Sequence, residues 1–563
     1  MMDFQRTALL AGIFGVLFLL LLQWNKFQTA QTPIKTEASQ ETISSDAQES
    51  KSTTTSNNTA PEEIPTTASQ TSAVDAHPAS ANNQGSSESL VSITTDVLNV
   101  KIDKRGGDLV MITLPTYSAD IETPNTPFEL LNRTSDKTYI AQSGLIGKNG
   151  TDNQEGRPLF DSAKNDYALQ AGENSLSVDF TLPEKDGVKI IKRFTFHRGE
   201  HLIELSYLIN NNSKTEWQAA FFGQIKRDGS IPKSSAAGMK PFLGVATTTT
   251  EKHYDKMTFK KIESTPLKNT IEGGWIAMVQ HYFISAWVAN EGETNTFTAR
   301  KLKNEDMYLI GYTTPAKTIA ANSSGEITTK FYAGPKDTRR LEQIAPYLDL
   351  TVDYGWLWWV AKPIHWILQK THVVIPNWGW SIITLTIMIK IILFPLSHKA
   401  YISMGHMRKV APKMAAIREQ CGDNRQKLQE EMLKLYKTEK INPMGGCLPM
   451  LLQMPVFISL YWVLMESVEL RHSPFIGWIH DLSVMDPWFC LPILMGISMF
   501  FQQKMNPAPP DPMQAKVMQF LPMVFTFMFL WFPAGLVLYW LVNNITSMAH
   551  QFYINKLVER GDA

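Results

Sequence analysis

SIITLTIMIKIILFPL, residues 381–396, has the apolar composition of a membrane helix, broken by one ammonium group, Lys390. A hydrocarbon core about 30 Å thick takes about 20 helical residues to cross. Six runs of the 563-residue chain approach that length: 8–24, 378–396, 447–467, 488–503, 517–532 and 534–553. The runs 488–503 and 517–532 are short, and need a locally thinned bilayer or shelter from neighbouring helices.

The formal net charge is zero, but its distribution orients the chain. Residues 398–446 carry Lys399, Arg408, Lys409, Lys413, Arg418, Arg425, Lys427, Lys434, Lys437 and Lys440, whereas 469–487 have Arg471 alone. Basic residues in short loops stay in the cytoplasm. Six spans then place both termini in the cytoplasm and residues 25–377 outside. The first run is expected to remain as an anchor, because a signal-peptide cut after Ala30 would need a small residue where Gln28 stands. Cys421, Cys447 and Cys490 all lie outside the large external segment, which therefore relies on an ordinary core and not on disulfides.

The expected organisation is an anchor (1–28), a disordered tether (29–88), an all-β domain (89–350), an interfacial amphipathic helix (351–376), a second span (377–397), a helical hairpin (398–446), four further spans with their loops (447–555) and a short tail (556–563). The tether is rich in Thr, Ser, Ala and Gln and cannot bury enough apolar surface to offset its ordering entropy. VLNVKI (97–102), LSVDFTL (176–182), VKIIKRFTFH (188–197), HLIELSYLI (201–209) and EITTKFYAG (326–334) have strand character, which predicts an antiparallel sandwich. GWLWWVAKPIHWILQ (355–369) places four tryptophans beside a span, as in a helix lying in the membrane interface. In 398–446, Met407, Val410, Met414 and Ile417 recur at helical spacing, as do Leu428, Met432 and Leu435. CGDN (421–424) supplies the turn, with Asp423 and Gln426 spaced as a capping box.

Lys390 sits eight residues in from His398, or about 12 Å at helical rise. Its side chain can snorkel over part of that depth. Within the spans the carboxylate is Glu466, near the opposite face. The remaining reading is a water-containing cavity, the usual setting of an intramembrane charge. Thr386 lies one turn back on the same face; Ser381, Thr384, Gln453, Ser459, Gln502, Asn543 and Asn544 dot the spans. One wet groove could hold all of them, or each could be hydrogen-bond glue between helices. No internal repeat suggests a transporter, and the spans show no catalytic triad, metal spacing or phosphate loop. His197 and His201 flank a turn on strand-like sequence, a poor setting for a metal.

NWGWSIITLTIMIKIILFPL (377–396), NPMGGCLPMLLQMPVF (442–457), WIHDLS (478–483), DPWFCLPILMG (486–496) and WFPAGLVLYW (531–540) closely resemble the YidC family of membrane protein insertases. The match covers residues 353 to about 555. The resemblance implies a bacterial inner-membrane protein of six spans, five forming the insertase core, with a periplasmic β-supersandwich like that of sugar-binding mutarotases. It implies no enzyme, cofactor or metal. A hydrophilic groove open to the cytoplasm and to lipid would accept hydrophobic nascent chains and release them laterally. Lys390 matches the family's basic groove position, usually Arg, and Thr386 its groove threonine. Tyr539 and Trp540 match a pair that often includes a substrate-facing Tyr. Gln453, Ser459, Gln502 and Asn543 complete the expected groove set. The hairpin, through Arg408, Lys409, Lys413, Arg418, Arg425 and Lys427, is expected to meet substrate or partners: the Sec translocon, and the ribosome and signal recognition components. Lipids are further partners, and no nucleic-acid motif is present. The alternatives are a small-solute transporter and an anchored carbohydrate-binding or carbohydrate-active protein.

Overall fold

Alternation of apolar and polar residues makes Val188–His197 and Leu202–Asn211 neighbouring antiparallel strands, with Ile203 opposite Phe196 and Leu205 opposite Phe194. Their alternate side chains are buried, as a half-covered sheet requires. The computed structural model describes residues 89–153, 156–232, 241–422, 424–439, 448–506 and 512–560. The expected anchor and tether, residues 1–88, lie outside them.

Among the described residues the β-rich part holds an 11-stranded and a 9-stranded sheet. They enclose one core in which Phe221 meets Tyr207, Trp287 and Tyr312 edge-on or tilted. A buried charge network links the sheets. Lys192, from the 9-stranded sheet, donates to the carbonyls of Gly106 (2.8 Å) and Ser143 (3.0 Å) across the core. Arg157 grips Asp108 through two bonds of 2.8 and 3.0 Å and pairs with Asp152 at 2.5 Å. Burial pushes the Lys192 ammonium down to about 7, against the pull of Asp108. The turn that admits these side chains needs glycine. Gly106 and Gly107 have φ of 74° and 62°, and an added Cβ would meet Arg157 and Lys192 respectively.

Two strands, Trp275–Val279 and Phe283–Val288, are buried at every position. Their second face belongs to another cluster that runs through Leu341, Leu348 and Ile364 into the helical part. The two parts therefore share a continuous apolar contact.

The helices are α1 (Phe259–Ser264), α2 (Thr338–Ile344), α3 (Trp358–Val374), α4 (Trp378–Ile392), α5 (Phe394–Cys421), α6 (Arg425–Thr438), α7 (Leu448–Glu466), α8 (Cys490–Met505), α9 (Pro512–Phe529) and α10 (Ala534–Arg560). Helices α4 and α7 to α10 coincide with five of the six apolar runs. Among the described residues no single helix is long and apolar enough to cross a membrane, but α4 and α5, meeting at 70°, qualify as a bent pair. Helix α3 buries Ala361, Ile364 and Leu368 and exposes Trp358, Trp359 and Trp366, the amphipathic pattern expected of it. Helices α5 and α6 form the hairpin, with Val410 and Met414 packed on Met407, Met432 and Leu435. The cap differs from the expected one. Asn424, not Asp423, caps α6, its side chain accepting from Lys427 N at 3.1 Å. Asp423 lies outside the described residues.

The loop after α7 seats the β-rich part. Lys336 pairs with Glu466, both buried. Arg471 donates to the carbonyls of Ser118 (2.7 Å) and Ala119 (2.9 Å) and lies over Phe128 and Phe283. His281 Nε2 lies 2.9 Å from the carbonyl of Met465.

Replacing Arg157 with Met strands two buried carboxylates and should cost about 3–5 kcal/mol. Denaturant unfolding of the purified protein checks this, and unchanged stability would show the network to be dispensable. Burial and Lys336 together push the His281 ring down to about 3. Unfolded histidine titrates near 6.5, so the unfolded state takes up the proton first as pH falls. The stability is complete above about pH 6.5 and is lost toward pH 3, with about 2–3 kcal/mol gone by pH 4.5. Unfolding at pH 7.5 and 4.5 should show this slope, reduced in His281→Gln.

Candidate polar groove

Lys390 enters the bundle from the last turn of α4 and is half-buried. Its ammonium donates to Ser547 Oγ of α10 at 2.7 Å, and Ser547 donates onward to the carbonyl of Asn543 at 2.7 Å. Among the described residues no ion pair includes Lys390. The charge is therefore solvated by a hydroxyl and by whatever water the groove admits.

Ser547 belongs to a stripe. Asn543, Ser547, Gln551 and Asn555 recur every four residues along one face of α10, and all are buried. Asn544 Nδ2 donates to Ser498 Oγ of α8 at 3.0 Å, and Gln551 Nε2 to Asn506 Oδ1 at 2.9 Å. Gln502 lies midway between those α8-side partners and is half-buried. Among the described residues, Asn543 Oδ1, Gln551 Oε1, Asn555 Nδ2 and Ser459 Oγ are buried without a hydrogen-bond partner. Buried polar atoms in that state call for water or a ligand.

The other expected residues divide. Thr386 is buried and bonds back to the carbonyl of Ile382 at 2.7 Å, so its hydroxyl is spent within its own helix. Gln453 donates to the hydroxyl of Tyr539, which is 1% exposed and so turned into the bundle and away from any open face. Trp540 is half-buried among Phe457, Phe525 and Phe529. On the hairpin, Arg408, Lys409 and Lys427 are exposed and Arg418 half-buried. Lys413 pairs with Glu439 at 2.6 Å. The side chain of Arg425 lies outside the described residues. Sequence reasoning missed Ser547, Gln551 and Asn555; their signal was the four-residue spacing with Asn543.

The end of the bundle away from Lys390 is tied together by hydrogen bonds. Asp486, fully buried, accepts from Trp478 Nε1 (2.9 Å) and from Leu491 N (2.7 Å) at the start of α8. Ala534 N and Gly535 N, at the start of α10, donate to the carbonyls of Val484 and Leu482. These contacts give physical content to the motifs WIHDLS, DPWFC and WFPAG.

The family model described as the YidC periplasmic domain matches residues 90–367, and that of the 60Kd inner membrane protein matches 370–561. Curated relatives named membrane protein insertase YidC include one from Cellvibrio japonicus (strain Ueda107), 50% identical over 100% of both chains. Another, from Stutzerimonas stutzeri (strain A1501), is 49% identical over 100% of this chain and 99% of its own. A solved structure of an active YidC insertase aligns over 83% of this chain and 92% of its own at 17% identity, with a TM-score of 0.36. A galactose mutarotase related enzyme from Lactobacillus acidophilus aligns over 43% of this chain and 97% of its own at 10% identity, with a TM-score of 0.29.

If the stripe is wet, Ser547→Cys and Gln551→Cys, in a chain whose native cysteines are replaced by Ala, should react with a membrane-impermeant maleimide at least tenfold faster than Val537→Cys on the same helix. Equal rates would make the stripe dry helix-to-helix bonding.

Proposed function

The chain belongs to the YidC family of membrane protein insertases, and on that premise we propose that the stripe around Lys390 is the path by which an incoming chain reaches lipid. The observation that carries this reading is the inverted polarity of the helical part. Lys390, Asn543, Ser547, Gln551 and Asn555 point inward, while Ile391, Ile493, Phe501, Phe520, Met523 and Phe527 are exposed. Such a surface suits hydrocarbon, and such an interior suits a polar passenger.

In this proposal the five apolar helices cross the inner membrane. The hairpin faces the cytoplasm, both termini lie there, and the β-sandwich is periplasmic. The ammonium of Lys390 attracts the acidic, soluble part of a nascent membrane protein into the groove. A twenty-residue apolar segment then gains about 6–12 kcal/mol on entering lipid, which needs no nucleotide. Lys390 fits this role as a compact cation, since it lacks the planar fork with which an arginine would grip a carboxylate. The exposed basic face of the hairpin, with Arg408, Lys409 and Lys427, would receive substrate and contact the Sec translocon, the ribosome or signal recognition components.

The test replaces Lys390 in cells depleted of their own insertase and follows single-span substrates by pulse-labelling and protease protection. Lys390→Ala should lower insertion of a substrate with an acidic translocated tail about tenfold relative to one with an uncharged tail. Lys390→Arg should restore the ratio. An unchanged ratio in Lys390→Ala would reduce the lysine to snorkelling.

A further inference from the structure

Beyond Lys390, on the hairpin side, two imidazoles face each other. His398 lies in the second turn of α5 and His550 on α10, three residues past Ser547. His398 Nδ1 is 3.4 Å from His550 Nε2, with the rings inclined by 19°. Phe394 stacks on both rings, at 5.3 and 4.6 Å, and Tyr401 meets His550 edge-on at 4.9 Å. Below them Tyr401, Met404, Ile554 and Val558 hold the two helices together. Both imidazoles are half-buried, within reach of water and protons.

We infer that His398 and His550 form a second, titratable basic station of the groove, which binds carboxylates of an acidic segment before they reach Lys390. This rests on the proposed path through the groove and adds a specificity element to it.

The neutral pair can share one proton as an N–H···N contact, long and weak at 3.4 Å. Full protonation puts two positive rings side by side. Among the described residues, Lys390 on α4 and Tyr401 on α5 face the pair. Among the described residues no ion pair includes either histidine. Double protonation is therefore disfavoured until an anion arrives. A carboxylate that parts the two nitrogens, 3.4 Å from each other in the neutral pair, accepts a charge-assisted N–H from each. Phe394 and Tyr401 pack against the rings and keep them at this end of the groove. Binding of an acidic segment and uptake of protons are thus linked. Chemistry and position select the same passenger, an acidic stretch of polypeptide arriving from the hairpin.

The test uses the full chain in vesicles and two single-span substrates differing only in an acidic or an uncharged translocated tail. The readout is the ratio of their protease-protected fractions, so a general loss of folding or activity cancels. The ratio should rise about fivefold from pH 8 to pH 5.5, the low end of ordinary site-to-site coupling. It should be flat and low in His398→Gln/His550→Gln. In His550→Lys, where the station keeps its charge, it should be high already at pH 8. A slope that persists in the double Gln variant, or a wild-type ratio independent of pH, overturns the proposal. Lys390→Ala separates the two readings. If it lowers the ratio at every pH while the histidine slope is absent, the groove stands without this station. If it changes nothing and the slope is absent, both fail.

Discussion

An ammonium group among Ile, Leu and Met side chains is tolerated only where something replaces its water. Here the replacement begins with one hydrogen bond, from Lys390 to Ser547. The face of α10 that carries Ser547 also carries Asn543, Gln551 and Asn555. Gln551 on that face donates to Asn506, just past α8, and the adjacent Asn544 donates to Ser498 of α8. The polar interior thus follows from one charge and a four-residue repeat. The apolar exterior is what remains of the same helices.

A polar path of this kind needs fixed walls, and the opposite end of the bundle supplies them. Asp486 satisfies donors from the loop and from the start of α8, while the start of α10 hangs on the carbonyls of Leu482 and Val484. The next layer is the β-sandwich. The Lys336–Glu466 pair, the Arg471 contacts and the shared apolar cluster seat it on the loop after α7. A buried pair such as Lys336–Glu466 adds little net stability, but loss of one partner leaves a charge without compensation. Its effect is to specify how the two parts meet.

Much of this was legible in the sequence where one physical signal dominated. Strands with one covered face alternate with period two, and Val188–His197 appears within its expected bounds. Trp275–Val279 and Phe283–Val288 did not stand out, because burial of both faces erases the alternation. The hairpin seam was readable from its spacing, but the cap of α6 is Asn424, one residue after the expected one. Lys390 announced itself as a charge in an apolar run. Its partner did not, since Ser547 is chemically ordinary until α10 is seen to continue to Arg560, carrying the stripe past the apolar run. Tyr539, matched by resemblance to a pair that often includes a substrate-facing Tyr, lies buried with its hydroxyl accepting from Gln453. Pairings such as Lys336 with Glu466, 130 residues apart, leave no local trace.

We propose that this polar interior, acting alone, can move a polypeptide into lipid. The most direct measurement presents a small single-span protein to vesicles containing only the purified protein, without nucleotide, and follows its protection from protease. The account predicts that protection rises in proportion to the amount of protein in the vesicles. Protection no greater than in empty vesicles would contradict it.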